Sequence, residues 1–295
     1  MSEHRVLVVG AGGMLGHKVW QVCRSRFDTW GTLRRSPRNY GHAAAVFDPD
    51  RIVVGVDAGD LLALVQTMAR VRPTVVVNCI GIVKQLAAAK DPVSSLRINS
   101  LFPHELGSVC HAAGARLIHI STDCVFSGTR GGYVEGDAPD ATDLYGRTKL
   151  LGEVGEPHLT LRTSIIGREL SGQSGLIEWF LSQGNGPVRG FRKAIFSGLT
   201  TLELARTIAM LIERHPGLSG LYHVSAQPID KYSVLEICRD AWRLSCAIEP
   251  DDRLVIDRSL NSERFAAATG IRVPDWPDMI AGMVADADHY AEWRS

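Results

Sequence analysis

At 295 residues, 45% hydrophobic and 22% charged, the chain holds enough apolar material for one large α/β domain or a large domain with a small companion. Its 32 basic residues balance 32 acidic ones, which excludes the charge signature of a nucleic-acid or membrane-surface partner. Six cysteines (Cys23, Cys79, Cys110, Cys124, Cys238 and Cys246) show no CxxC spacing and read as small core residues of a reduced cytoplasmic protein, not as a disulfide or zinc framework.

The first predicted element is Arg5-Val6-Leu7-Val8-Val9, an apolar run that suits a buried parallel strand and is too short for a leader or a membrane span. It leads into Gly10-Ala11-Gly12-Gly13-Met14-Leu15-Gly16 and a helical pattern through Val19, Trp20, Val22 and Cys23. Strand, glycine turn and helix in that order is the context a dinucleotide fingerprint needs. Gly10 permits the tight turn, Gly13 lets backbone approach a pyrophosphate, and Gly16 allows close helix packing. The helix N-terminus adds free N–H groups and a positive dipole end. Gly10, Gly13, Met14 and Leu15 are thus candidate nucleotide contacts, against the alternative of a purely structural turn.

A second strand over residues 29–33 ends in Arg34-Arg35-Ser36. An NAD-type site places a carboxylate about 20 residues beyond the glycines, on the ribose 2′-hydroxyl. Two arginines there suit a 2′-phosphate instead, through charge-assisted bonds. Asp28 lies at the wrong end of the strand to substitute. NADPH is the expected cofactor and NADH the alternative; solvated loop arginines are the bland reading.

Residues 44–47 or 52–56 offer a third strand, 61–70 a helix, and 74–77 a buried strand ending in Asn78-Cys79-Ile80-Gly81. Residues 93–113 read as one long helix containing Asn99, and 115–120 as another buried strand ending in Ser121-Thr122-Asp123. This alternation predicts a Rossmann-type doubly wound parallel sheet. Ligands bind such sheets beyond the carboxyl ends of the strands, where every polar cluster above falls. There the Thr122 hydroxyl, or Ser121 as second choice, is placed to polarise a carbonyl oxygen. Satisfying backbone at the strand end is the competing role for both, and Asp123 is expected to cap or brace the following loop.

Tyr145 and Lys149 stand four residues apart in Asp143-Leu144-Tyr145-Gly146-Arg147-Thr148-Lys149, on one face of a helix. An ammonium roughly 4 Å from a phenol, at an effective dielectric of about 20, favours the phenolate by on the order of 4 kcal/mol, or about three pKa units. That brings a tyrosine toward the range where it exchanges protons with a substrate. The spacing alone is common on solvated helices; its company gives it meaning.

The string Ser121-Thr122-Asp123-Cys124-Val125-Phe126-Ser127-Gly128, then Tyr133-x-Glu135-x-Asp137-x-Pro139, then Tyr145-Gly146-x-x-Lys149-x-x-Gly152-Glu153, resembles the extended short-chain dehydrogenase/reductase superfamily. With the glycine motif and Leu161-Arg162-Thr163-Ser164, the chain resembles the dTDP-4-dehydrorhamnose reductase family over essentially its whole length. The resemblance implies a catalytic set of Thr122, Tyr145 and Lys149. It places Asn78, Cys79, Ile80 and Gly81 against the adenosine and ribose side of the cofactor, with Tyr145 and Lys149 also touching the cofactor. It implies reduction of a nucleotide-linked 4-keto-6-deoxyhexose with NADPH or NADH, in deoxysugar and surface polysaccharide biosynthesis. Ile82-Val83-Lys84-Gln85 departs from the rhamnose enzymes in a loop positioned to touch the sugar. A UDP-linked 2-acetamido-2,6-dideoxy-4-hexulose is therefore an alternative substrate. No metal is expected, and a homodimer is among the assemblies admitted.

On this reading residues 1–160 form the NAD(P)-binding domain with the Tyr/Lys helix. Residues 161–295 form mainly a sugar-nucleotide-binding lobe that returns strands and helices to the sheet. Candidate substrate contacts are Lys84, Asp123, Val125, Phe126, Ser164 and Arg192. The run Val188-Arg189-Gly190-Phe191-Arg192-Lys193 offers cations for a diphosphate and an aromatic for a base, with solvated charges as the competing view. Helices are expected over 175–183, 202–214 and 233–244, with a strand over 221–224 carrying a structural His223. Trp276, Tyr290 and Trp293 are expected to pack. Two other functions compete: an NAD-retaining sugar-nucleotide epimerase or dehydratase using Asp123 as an added acid, and a non-catalytic nucleotide-binding regulatory subunit. The paired arginines oppose the first, and intact Thr122, Tyr145 and Lys149 oppose the second.

Overall fold

The computed structural model describes residues 4–84, 87–286 and 290. Its centre is a seven-stranded sheet in which every pairing is parallel. From one edge the strands run Gly220–His223, Leu159–Thr163, Arg116–Thr122, Val75–Asn78, Arg5–Val9, Asp28–Leu33 and Ile52–Val54. The chain builds outward from Arg5–Val9 in one direction, then returns to its other side with Val75–Asn78. The order therefore reverses between these two strands, and that is where a doubly wound sheet opens a crevice.

Alternation along the first strand explains why both faces are covered. Val6 and Val8 face one apolar cluster with Trp20, Val19 and Ile208, while Leu7 and Val9 face another with Leu64, Met68, Phe102 and Leu106. A parallel strand with helices on both sides must be apolar on both faces. Helices Gly16–Arg24 and Thr201–Arg214 cover the first face; Leu61–Val71 and Phe102–Ala112 cover the second. Trp20 is wholly buried and donates to the Val46 carbonyl at 3.3 Å, so the indole N–H keeps a partner.

Of the two stretches offered for the third strand the structure takes the second, and the expected long helix is not continuous. The third strand is Ile52–Val54, while Pro37–Val46 forms 3₁₀ turns, opened by a proline and interrupted at Gly41 with φ 58°. The long helix is broken into Pro92–Ser95, a π-helical stretch Leu96–Leu101, and Phe102–Ala112. Pro103 has no N–H to give the Asn99 carbonyl, so the regular ladder cannot run through it. That carbonyl instead abuts Gly152, where any Cβ would collide with it.

Beyond residue 163 the chain alternates between the sheet and a lobe of small sheets. Ile229–Asp230 and Ile256–Asp257 flank Ala194–Phe196, and Ile248–Asp251 pairs with Val188–Phe191. The expected helices appear as Leu176–Ser182, Thr201–Arg214 and Lys231–Ala241. Trp276 packs and donates to the Gln227 carbonyl at 2.8 Å. Tyr290 is buried with its hydroxyl 2.6 Å from His17 Nε2. Trp293 and Gln85 lie outside the described residues. No described helix is long and apolar enough to cross a membrane.

Candidate active site

The glycine turn is held by its neighbours before it can hold anything else. Gly10 adopts φ 86°, its N–H donates to Thr32 Oγ1 at 3.0 Å, and Ala11 N donates to the Thr32 carbonyl at 3.0 Å. A side chain at Gly16 would strike the Gly10 carbonyl, so the helix begins directly against the turn. At Gly13 a Cβ would meet only the Gly10 oxygen, at 3.6 Å, which leaves that face open to a ligand. Helix Gly16–Arg24 has no side-chain cap; His17 N and Val19 N donate to the Gly13 and Leu15 carbonyls at 3.1 and 3.0 Å, and the positive end of the helix dipole is what the turn offers a phosphate. Met14 lies on this turn, its sulfur 3.4 Å from where a Gly175 Cβ would stand, and Leu15 is buried.

Arg34 and Arg35 are exposed at the carboxyl end of the second strand. Both bear electrostatically on Tyr40, whose hydroxyl closes over Gly12 so tightly that no Cβ fits there. Burial raises the Tyr40 pKa and the two cations oppose it. Asp28 sits at the other end of that strand, paired with Arg5 at 2.6 Å and Arg51 at 2.8 Å. The turn could receive a dinucleotide's pyrophosphate, and the two exposed arginines lie at the strand end where the adenosine ribose of such a cofactor would sit.

The loop after the fourth strand joins this turn to the Tyr/Lys helix. Asn78 is buried, hydrogen-bonds His119 at 3.1 Å and accepts from Ile80 N at 3.0 Å. Cys79 N donates to the Val9 carbonyl at 2.9 Å. Ile80 presses on Gly10, and a Cβ at Gly81 would stand 3.9 Å from Lys149 Nζ. Asn99, in the π-helical stretch, clamps the loop with Oδ1 accepting from Ile82 N at 2.8 Å and Nδ2 donating to the Ile82 carbonyl at 3.1 Å.

Helix Leu144–Leu151 carries Tyr145 and Lys149. Asp143 caps it, accepting from Gly146 N at 2.9 Å. Gly146 must be glycine because a side chain would meet the Cys124 carbonyl, and this contact brings the helix onto the 3₁₀ turn Asp123–Val125. There the Thr122, Asp123 and Cys124 side chains lie close enough to the Tyr145 phenol to act on its ionisation. Thr122 Oγ1 accepts from Cys124 N at 3.1 Å and donates to Asp123 Oδ1 at 3.2 Å. The cap of this turn is therefore Thr122, not the Asp123 carboxylate.

The ionisation of the pair is not what spacing alone suggests. Burial pushes the Tyr145 phenol above its ordinary value, and the Cys124, Asp123 and Asp143 side chains add to the rise, with the Thr122 side chain opposing it. Lys149 does not offset this, because its ammonium points at the sheet and donates to the Ile120 carbonyl at 2.8 Å. Burial lowers Lys149 itself to about 8, with the Glu153 carboxylate pulling the other way. Ser121 Oγ donates to Glu153 Oε1 at 2.6 Å, so the second-choice hydroxyl has a structural partner.

The candidate substrate residues divide. Val125 and Phe126 have no accessible surface. Phe126 stacks on Tyr133 at a ring distance of 4.1 Å and an 8° interplanar angle, so both residues are core under the site and not contacts within it. Lys84 is tied to Asp143 at 3.0 Å, which sets it beside the helix cap. Ser164 is half-buried against Gly198, its carbonyl accepting from Leu199 N at 2.9 Å. Arg192 is exposed and held by Asp252 through bonds of 2.8 and 2.6 Å. His223 takes a structural place, its Nδ1 3.0 Å from the Tyr133 carbonyl and Nε2 3.4 Å from Arg162.

Two cations near the site carried no local signal in the sequence. Arg258 Nε donates to the Phe126 carbonyl at 2.8 Å, its Nη1 lies 3.6 Å from Cys124 Sγ, and it acts electrostatically on Asp123 and Asp143. Lys231 also bears on Asp123. Both come from the distal lobe, where two strands flanking Ala194–Phe196 bring them to one side.

Fold and site together define a doubly wound dinucleotide-type protein with a Tyr/Lys helix at the strand ends. Residues 4–250 match the RmlD substrate binding domain family, to which the chain belongs. A probable low-salt glycan biosynthesis reductase of Haloferax volcanii is 28% identical over 235 residues, covering 75% of this chain and 74% of the relative. A dTDP-4-dehydrorhamnose reductase of Streptomyces griseus is 33% identical over 150 residues, or 50% of this chain and 43% of that protein. Methionine adenosyltransferase 2 subunit beta of Xenopus tropicalis is 26% identical over 262 residues, 81% of this chain and 72% of that one. Among solved structures, dTDP-4-dehydrorhamnose reductase from Bacillus anthracis in complex with NADP superposes with a TM-score of 0.79 at 21% identity, covering 96% of this chain and 99% of that one.

Proposed function

We propose that the protein is an NADPH-dependent reductase of a nucleotide-linked 4-keto-6-deoxyhexose, acting in the cytoplasm in deoxysugar biosynthesis. The observation that carries this reading is the meeting of the Tyr145 and Thr122 side chains beside buried Lys149, at the carboxyl ends of the strands. A binding subunit needs the glycine turn but has no use for a phenol and a hydroxyl converging on one point. NADPH, when bound, supplies the hydride that reduces C4 of the sugar.

The chain's own residues do the rest. The turn from Gly10 to Gly16 receives the pyrophosphate, and Arg34 and Arg35 hold the 2′-phosphate. Lys149 holds the nicotinamide ribose hydroxyls from beneath Gly81. Thr122 fixes the ketone oxygen, and Tyr145 gives that oxygen its proton. With the phenol raised by burial, Tyr145 is firmly protonated at neutral pH, the state a reduction requires.

The test is NADPH oxidation with dTDP-4-keto-rhamnose and, separately, a UDP-2-acetamido-4-keto-6-deoxy-L-hexose. Turnover on one that disappears in Tyr145→Phe, while NADPH still binds, supports the reading and selects the sugar. No oxidation with either, from protein that purifies with tightly held NAD, overturns it in favour of an epimerase or dehydratase.

A further inference from the structure

Tyr40 reaches the glycine turn from Pro37–Val46, the 3₁₀ segment that follows the second strand. That segment is fixed at both ends. Ser36 opens it, accepting from Arg38 N at 3.4 Å, and at its close the Val46 carbonyl accepts from Trp20, on the helix beyond the turn, at 3.3 Å. Between these ends the Tyr40 ring meets Phe47 at a centroid distance of 5.3 Å and 62°, and packs against the main core. Its phenol end fills the space into which any side chain at Gly12 would project. Gly12 is not one of the left-handed glycines, so room for this ring, and not backbone freedom, is what glycine supplies there.

The hydroxyl so placed has no hydrogen-bond partner among the described residues, although the residue that carries it is half-buried. Arg34 and Arg35 are exposed, and neither makes an ion pair or a side-chain hydrogen bond among those residues. Thr32 brings the three together. Its hydroxyl and carbonyl accept from Gly10 N and Ala11 N at 3.0 Å each, which pins the strand end bearing the arginines to the turn under the phenol. Both guanidiniums act on the phenol from there, but burial outweighs them and raises its pKa, so the hydroxyl keeps a proton to donate. Two guanidiniums and one O–H donor at a single place suit a compact dianion such as a phosphomonoester.

We propose that Tyr40 is a specificity-determining residue for the cofactor, its hydroxyl donating to the 2′-phosphate of the adenosine ribose alongside Arg34 and Arg35. The proposal rests on the NADPH reading above and adds to it a donor that the arginine pair does not supply. A ribose with a free 2′-hydroxyl offers the same donor only a neutral partner, and a charged acceptor makes the stronger bond. The phenol is held in place by its packing before any ligand arrives, so little freedom is lost when it binds. Tyr40 acts on cofactor affinity alone and takes no part in hydride or proton transfer.

The experiment is calorimetric titration of the whole protein with 2′,5′-ADP and with 5′-AMP, which differ only in the 2′-phosphate. Wild type is expected to bind 2′,5′-ADP the more tightly. Tyr40→Phe keeps the ring and removes the donor. It should weaken 2′,5′-ADP by about tenfold or more, the loss of a hydrogen bond to a charged group, and leave 5′-AMP affinity and Tm unchanged. Equal affinity of Tyr40→Phe and wild type for 2′,5′-ADP overturns the proposal, as does a loss shared equally by both nucleotides. The NADPH reading survives either result if Arg34→Ala with Arg35→Ala still loses 2′,5′-ADP selectively. A wild type that binds the two nucleotides equally, or binds neither, overturns the NADPH preference and this proposal with it. Oxidation of NADH with the two keto sugars then decides the reductase reading separately.

Discussion

Arg162 and Glu153 are joined by two parallel bonds of 2.7 Å, from Nε to Oε1 and from Nη2 to Oε2, inside the sheet edge that backs the active site. Glu153 lies four residues beyond Lys149 and eight beyond Tyr145, just past the end of their helix. The pair therefore fixes the C-terminal end of that helix to the strand Leu159–Thr163. Ser121 adds a third bond from the neighbouring strand.

Glu153→Ala is expected to destabilise the fold by about 3–5 kcal/mol, because it strands a buried guanidinium. Combining it with Arg162→Met should return much of that loss, a coupling that thermal unfolding of the four proteins of a double-mutant cycle measures. Strictly additive losses would show that the two side chains do not stabilise one another.

Phe126→Ala should reduce stability by about 3–5 kcal/mol, since its ring is fully enclosed against Tyr133. A raised KM with unchanged denaturant midpoint would contradict its placement in the core and return it to the list of substrate contacts.

Lys149 gives a pH signature in stability. Its folded value of about 8 lies below the ordinary 10.5. Between those two values the unfolded chain holds more protons, so stability rises with pH across that window. The full difference is on the order of 3 kcal/mol. Lys149→Met removes the proton-binding group and should flatten the rise, as urea unfolding across the window reports; an identical slope in the variant would refute the assignment.

Arg34→Ala with Arg35→Ala should weaken NADPH by roughly 10- to 100-fold, from the loss of charge-assisted bonds, and leave NADH nearly unchanged. Fluorescence titration with both cofactors decides this, and equal weakening would separate the arginines from the 2′-phosphate.

What the sequence made legible was local. Strand, glycine turn and helix can be read from residues 5–24 because each is enforced by its own neighbours, and the Tyr/Lys spacing is a property of any helix. Even there the reading went wrong where environment decided. Lys149 is four residues from Tyr145 as expected, but its ammonium finds the Ile120 carbonyl, which only the folded sheet supplies. Val125 and Phe126 follow directly on Thr122 and Asp123, yet the chain turns them inward under the site. Arg258 and Tyr40 were invisible because nothing about residue 258 or residue 40 announces that it will face Asp123 or close over Gly12. The helix break at Leu96–Leu101 was readable in principle, from Pro103 four residues beyond Asn99, but helical periodicity outweighed it.

The hydroxyl of Tyr290 meets His17, whose Nδ1 is 2.9 Å from the Gly13 carbonyl, so the two partners of one brace are 273 residues apart in the chain. The nucleotide motif spans residues 5–24, yet part of its bracing is drawn from residue 290. Thr32 holds the turn and the Val46 carbonyl holds Trp20 on the helix, and Tyr290 adds a further hold from the far end of the described chain. A disturbance at residue 290 therefore reaches the Gly13 carbonyl through a single histidine ring, tying the far end of the described chain to the turn.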